Sequence, residues 1–128
     1  MSNSYIAVIH DESSLCTSLS RLLRLANFQP ITYSSAEAFL ADDKHPQFDC
    51  LLLDIRLGGM SGLALLRQLA AQKSQAPVIF ITAFDDPEVR IQAEALGCAA
   101  FFGKTTPGAE IIAAVRRAVA RYAPVALN

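Results

Sequence analysis

The chain has 128 residues, is 52% hydrophobic and 18% charged, and carries a formal net charge of −1. That size and composition suit one domain around one core and exclude a disordered chain. The near-neutral charge gives no basic field for nucleic acid, and no apolar run is long enough to cross a bilayer, so direct DNA binding and membrane insertion are not expected.

Met1-Ser2-Asn3-Ser4 does not begin a basic-then-apolar leader, so a cytoplasmic location is expected. Tyr5-Ile6-Ala7-Val8-Ile9 reads as a short strand buried on both faces, followed by His10-Asp11-Glu12. From Ser13 the period changes: Leu15, Leu19, Leu22, Leu23 and Ala26 fall on one helix face, and Asn27 ends it. Phe28 to Tyr33 is β-rich, and Pro30 makes it an edge strand. Ser34 or Ser35 caps a short helix through Ala36, Phe39 and Leu40. A polar loop, Asp42 to Pro46, leads to the central stretch Asp49-Cys50-Leu51-Leu52-Leu53-Asp54. This is a non-alternating apolar run that ends on a carboxylate, as a strand in the middle of a parallel sheet does.

Gly58 to Gly62 is turn-rich, and Leu63, Leu66, Leu69 and Ala70 mark a third helix. Val78 to Ile81 is a fourth buried strand, ending at Thr82. Asp86-Pro87-Glu88 opens a helix with a cap, a proline at the first helical position and an early acid, and the helix stops at Gly97. Cys98 to Phe102 is the fifth strand, with Lys104 just beyond it. Thr106-Pro107 opens the last helix, with Ile112, Val115 and Val119 as its apolar stripe, and Pro124 closes the fold before a short tail. Cys16, Cys50 and Cys98 lie far apart in apolar contexts and read as buried reduced thiols.

Strict alternation of five strands and five helices predicts a doubly wound α/β fold, flavodoxin-like, with strand order 2-1-3-4-5 and right-handed crossovers. The expectation is a single domain over residues 1–128 with a structured core over about 5–121. No internal repeat or interdomain linker is visible. In such a sheet, Asp11, Glu12, Asp54, Thr82 and Lys104 all lie at the strands' carboxyl ends, where ligands bind. Asp54 and Asp11 together make a hard oxygen site suited to Mg²⁺. Lys104 offers a point charge and Thr82 a hydroxyl to phosphate oxygens. These are the parts needed to form and hold an acyl phosphate on Asp54.

The chain resembles the receiver domain of two-component response regulators over nearly its whole length. The resemblance rests on Val8 to Glu12, Leu53 to Gly62, Ile81-Thr82-Ala83 and Phe101-Phe102-Gly103-Lys104. Ser34 to Leu40 is similar to the nitrogen-fixation regulator branch. The resemblance implies that Asp54 accepts a phosphoryl group from a histidine kinase, and that the domain is no enzyme beyond its own phosphotransfer and dephosphorylation. Asp11, Asp54 and the backbone carbonyl of Arg56 would hold Mg²⁺. Lys104 would pair with the phosphate, with Ala83 beside Thr82 in the phosphate-binding set. Thr82 and Phe101 would switch a face built by the fourth helix, fifth strand and fifth helix. That face is also the one through which a homodimer would form, and transcription would be regulated through an output domain outside this segment.

Three positions depart from the family pattern. His10 stands where a second acid is usual, which predicts weaker Mg²⁺ binding. Imidazole also admits softer metals, and if protonated could offset the Asp11–Asp54 repulsion. Thr105 replaces a proline that usually follows a cis peptide; a cis bond before threonine costs about 3 kcal/mol, so a trans bond is expected. Gly58 replaces a common proline and loosens the loop after Asp54. The departures admit a rival reading, a receiver that no longer takes phosphate and acts as a protein-interaction module. An aspartate-nucleophile hydrolase needs an acid two residues after Asp54, where Arg56 stands. Flavin binding is disfavoured because His10 to Ser14 has no glycine.

Overall fold

The computed structural model describes residues 4–83 and 86–122. Its order is β1 (Tyr5–Ile9), α1 (Ser13–Leu25), β2 (Gln29–Tyr33), α2 (Ala36–Ala41), β3 (Cys50–Leu53), α3 (Gly62–Ala71), β4 (Val78–Thr82), α4 (Pro87–Ala95), β5 (Ala100–Gly103) and α5 (Gly108–Tyr122). The strands form one sheet in the order β2-β1-β3-β4-β5, as expected. All four pairings are parallel, with Ile9 opposite Leu53, Leu53 opposite Phe80 and Thr82 opposite Gly103.

Both faces of the sheet are covered, which is why its strands lack alternation. Ala7, Ile9, Leu51, Leu53 and Phe80 pack on one side with Phe39, Leu65, Leu66 and Ala93 from α2, α3 and α4. Ile6, Val8, Cys50, Leu52, Ile79 and Ile81 pack on the other with Leu19, Leu23, Ile111 and Val115 from α1 and α5. The edge position of β2 leaves Pro30 where its missing N–H costs little.

The expected helix signals are in place. Asn27 adopts a left-handed φ of 71° after α1, and Gly97 one of 90° after α4. Of the two candidate serines, Ser35 is the cap, accepting the Ala38 N–H at 2.9 Å. Asp86 caps α4 by accepting the Glu88 N–H at 3.0 Å, with Pro87 at its start.

Several details correct the sequence reading. Strand β5 begins at Ala100, not Cys98, because the Cys98 N–H bonds the Ala93 carbonyl as α4 closes. Helix α5 begins at Gly108, with Pro107 supplying the carbonyl of its first turn. Its buried stripe is Ile111, Ala114, Val115 and Ala118, and Ile112 and Val119 are only half-buried. On α3, Leu65 is fully buried and Ala70 is exposed. Cys50 is buried, but Cys16 and Cys98 are half-buried; all three are free thiols. No cis peptide occurs among the described residues, so the bond before Thr105 is trans as expected. Pro124 and the short tail lie outside the described residues.

Candidate functional site

Strand β3 is central and ends one residue before Asp54, whose N–H bonds the Ile9 carbonyl at 3.2 Å. The carboxylate is thereby fixed at the rim where β1, β3 and β4 end. It is only 4% exposed. Its Oδ1 accepts the Arg56 N–H at 3.3 Å, from the loop that turns into α3. Its Oδ2 faces the Lys104 ammonium at 3.5 Å and His10 Nδ1 at 3.8 Å. Helix α3 begins hard against it: a Cβ on Gly62 would run into the Asp54 carbonyl oxygen, so only glycine fits there.

Burial pushes the Asp54 carboxyl up, but His10, a Thr82 hydrogen bond and the Lys104 charge together hold it below its usual range. At 3.8 Å the imidazole is beyond hydrogen-bond reach, and neither of its ring nitrogens has a hydrogen-bond partner. Yet His10 is 1% exposed, which makes it the one buried charged-type side chain with no bond to satisfy it among the described residues.

Lys104 lies nearer to Glu12 than to Asp54: its Nζ is 2.8 Å from Glu12 Oε1. Glu12 precedes α1 in an extended conformation, and its side chain makes no cap bond. It reaches Lys104 and accepts the Ser14 hydroxyl instead. The bond to Lys104 lowers the Glu12 carboxyl, and the same bond raises the Lys104 ammonium. No local signal in the sequence points to this pairing across 92 positions.

The structure thus brings Asp54, Thr82, Lys104, Glu12 and His10 together. Asp11 is exposed and makes no hydrogen bond or ion pair among the described residues. Ala83 and Thr105 are exposed. Phe101 is half-buried; its ring lies 5.7 Å from that of Phe80, and the Arg90 guanidinium sits 5.4 Å above it. No group of three or more His, Cys, Asp or Glu side chains that could hold a metal occurs among the described residues. What remains for a hard cation is two carboxylates, Asp11 and Asp54, and a backbone carbonyl after Asp54. That donor chemistry fits Mg²⁺, one negative charge short where His10 stands.

Among the described residues, no helix is long and apolar enough to cross a membrane. The fold alone is shared with a CheY-like receiver domain protein from Methanospirillum hungatei, at 19% identity, a TM-score of 0.88 and coverage of 95% of this chain and 98% of that one. A crystal structure titled FixJ-N is similar at 33% identity and a TM-score of 0.85, covering 99% of this chain and all of that one. In sequence, the chain is 34% identical over 116 residues to the response regulator protein TodT of Pseudomonas putida, covering 91% of this chain and 51% of that protein. It is 30% identical over 122 residues to the transcriptional regulatory protein FixJ of Bradyrhizobium diazoefficiens, covering 95% and 60%. The chain therefore spans little more than half the length of these relatives. Residues 6–116 match the family model described as the response regulator receiver domain. With the strand order and the rim of polar side chains already in place, this match identifies the chain as a member of the response regulator receiver domain family, on its nitrogen-fixation regulator side.

Proposed function

We propose that this receiver domain accepts a phosphoryl group on Asp54 from a sensor histidine kinase in the cytoplasm, and that its chemistry goes no further than its own phosphotransfer and dephosphorylation. The observation that carries the reading is the meeting of a buried carboxylate with the Thr82 hydroxyl and the Lys104 ammonium at the sheet rim. In the transfer, the phosphorus–nitrogen bond of the kinase's phosphohistidine breaks and a phosphorus–oxygen bond forms on Asp54. Lys104 meets the incoming negative charge, and Thr82 donates to a phosphoryl oxygen. The carboxylate that attacks is ionised at neutral pH because His10, Thr82 and Lys104 together hold its proton affinity down.

Receiver domains of this kind generally bind Mg²⁺. Here Asp11, Asp54 and the Arg56 carbonyl would hold it, and it would neutralise charge on the transferring phosphoryl group. Phosphorylation then adds charge beside Thr82, at the end of the strand next to β5 and its Phe101. The face of α4, β5 and α5 reads that change, and a homodimer would form there. The relatives TodT and FixJ are named as regulators, so an output domain controlling transcription is the proposed destination of the signal.

A second reading is favoured by one observation: Glu12, not Asp54, is the nearer partner of Lys104. A receiver locked in that arrangement would serve as a protein-interaction module without phosphorylation. Exposure to acetyl phosphate with Mg²⁺, followed by intact mass, separates the two. The first reading expects a phosphoryl mass gain that is absent from Asp54→Asn. No gain in the wild type under any phosphodonor refutes it.

A further inference from the structure

We propose that Glu37 is a positioning residue for the Asp54 site: its carboxylate, carried on α2, fixes the loop that runs from Asp54 into α3. This rests on the receiver reading above. The loop needs an outside hold. Ile55 and Leu57 anchor its first half by burial, at 5% and 7% exposure. The second half, Gly58-Gly59-Met60, is anchored less: Met60 is only half-buried against the same core, and the two exposed glycines have no side chain to bury. A Cβ on Gly58 would meet nothing within 4 Å, and Gly59 sits at a φ of 87°. Two adjacent glycines leave this segment the most backbone freedom a chain can have.

Among the described residues, hydrogen bonds seen at three places hold the loop. The Arg56 N–H bonds Asp54 Oδ1 at 3.3 Å, and the Gly62 N–H bonds the Ile55 carbonyl at 2.9 Å. Both are local. The third is the Met60 N–H, which donates to Glu37 Oε2 at 2.7 Å across 23 positions. That length marks a charge-assisted bond. The carboxylate lies so close over Gly59 that a Cβ there would come within 2.5 Å of Oε2. Gly59 is therefore favoured by its left-handed backbone, and any side chain there would have to push the Glu37 carboxylate off the loop. The Ser35 cap fixes the first turn of α2, which sets where Glu37 begins its reach. The Met60 N–H, and then the acid's own backbone N–H, hold the Glu37 carboxyl below its usual range, so it is ionised at neutral pH.

The consequence for the site is direct. The loop contributes the Arg56 amide that touches the Asp54 carboxylate, and the Arg56 carbonyl proposed for the cation. If its far end drifts, both lose their alignment with the attacking oxygen, and small misplacements at a reacting atom are costly. Gly58, which stands where the family usually has a proline, makes the loop depend more heavily on this one tie.

The test compares wild type, Glu37→Ala and Glu37→Gln by two measurements. The first is the rate of phosphoryl mass gain from acetyl phosphate in Mg²⁺, with beryllofluoride affinity beside it. The second is amide hydrogen exchange at Met60, read by NMR. Glu37→Ala is expected to lose about tenfold in rate and affinity, the lower end for a bond to a charged acceptor, and to exchange faster at Met60. Its melting temperature should change little. Glu37→Gln keeps an oxygen that accepts the Met60 N–H and should recover most of the loss. A purely structural role would lower the melting temperature of Glu37→Ala and leave the rate per folded molecule unmoved. Wild-type rates in Glu37→Ala, or no recovery in Glu37→Gln, overturn the proposal. If the wild type itself takes no phosphoryl group, the receiver reading falls, and Met60 exchange alone decides: equal exchange in wild type and Glu37→Ala overturns the tie.

Discussion

Replacing His10 by aspartate restores the acid that the family usually carries, and the structure gives both the sign and the size of the effect. His10 Nδ1 is 3.8 Å from Asp54 Oδ2, and the two residues are 1% and 4% exposed. A second carboxylate at that distance repels the first by about 4 kcal/mol at an effective dielectric of about 20. Removing an imidazole with two unpartnered nitrogens returns about 1–3 kcal/mol. The net is a loss of about 1–3 kcal/mol in chelator, or roughly 3–15 °C in Tm for a domain of this size. Mg²⁺ should narrow the gap. A bound ion stabilises both proteins, and the third acid should tighten the variant's Kd at least about tenfold because ligand charge sets affinity, which returns about 1.4 kcal/mol of the deficit in saturating metal. Thermal unfolding in chelator and in saturating Mg²⁺, with a Mg²⁺ titration by tyrosine fluorescence, measures both halves. His10→Asp should melt below wild type without metal, and its deficit should shrink by about 1.4 kcal/mol in saturating metal. Equal Mg²⁺ affinities, or a variant as stable as wild type in chelator, would refute the reasoning.

Folding holds the Asp54 carboxyl below its usual range. The stability this contributes is present above the ordinary carboxylate range, near pH 4, and is lost as pH falls through the lowered folded value. Urea unfolding across acid pH should therefore show a steeper loss for wild type than for Asp54→Asn; parallel curves would remove Asp54 from the acid transition. Gly62→Ala forces a Cβ into the Asp54 carbonyl and should cost about 1–3 kcal/mol in urea unfolding, with slower phosphorylation of the folded fraction; a neutral result would mean that the start of α3 does not press on the site. Glu12→Gln frees Lys104 for the phosphate and should raise beryllofluoride affinity, by no more than about fivefold for so exposed a pair; a fall in affinity would make Glu12 part of the binding set.

The fold was legible because its strands carry no alternation. Cys50–Leu53 is apolar at every position, which only a sheet covered on both faces tolerates, and Ser35 and Asp86 announce their helices by side-chain chemistry alone. The misjudged details share a cause. Large residues were given more weight than small ones, so Ile112 and Val119 stood in for Ala114 and Ala118, yet it is the alanines that let α5 lie close on the sheet. Within the site, Asp54, Thr82 and Lys104 were legible because each ends a strand. The links from Glu12 to Lys104 and from Glu37 to Met60 were not. Each spans elements far apart in sequence, and each joins polar groups at the surface, where neither periodicity nor composition carries a signal.

Charge explains how this site can rest in one state and act in another. Two acids, Glu12 and Asp54, share Lys104 at the rim. The Glu12 side of that sharing is half open to water, at 52% side-chain exposure, so solvent and salt weaken it. The Asp54 side is 5% exposed and is weakened far less. A phosphoryl group on Asp54 raises the charge on the buried side from −1 to nearly −2 while leaving Glu12 as it was. The ammonium then has every electrostatic reason to leave the exposed partner for the buried one. Glu12 is on this account the resting place of Lys104, from which the phosphoryl charge draws it. The loss of the usual acid at His10 bears on how firmly a cation is held, not on whether Lys104 can respond.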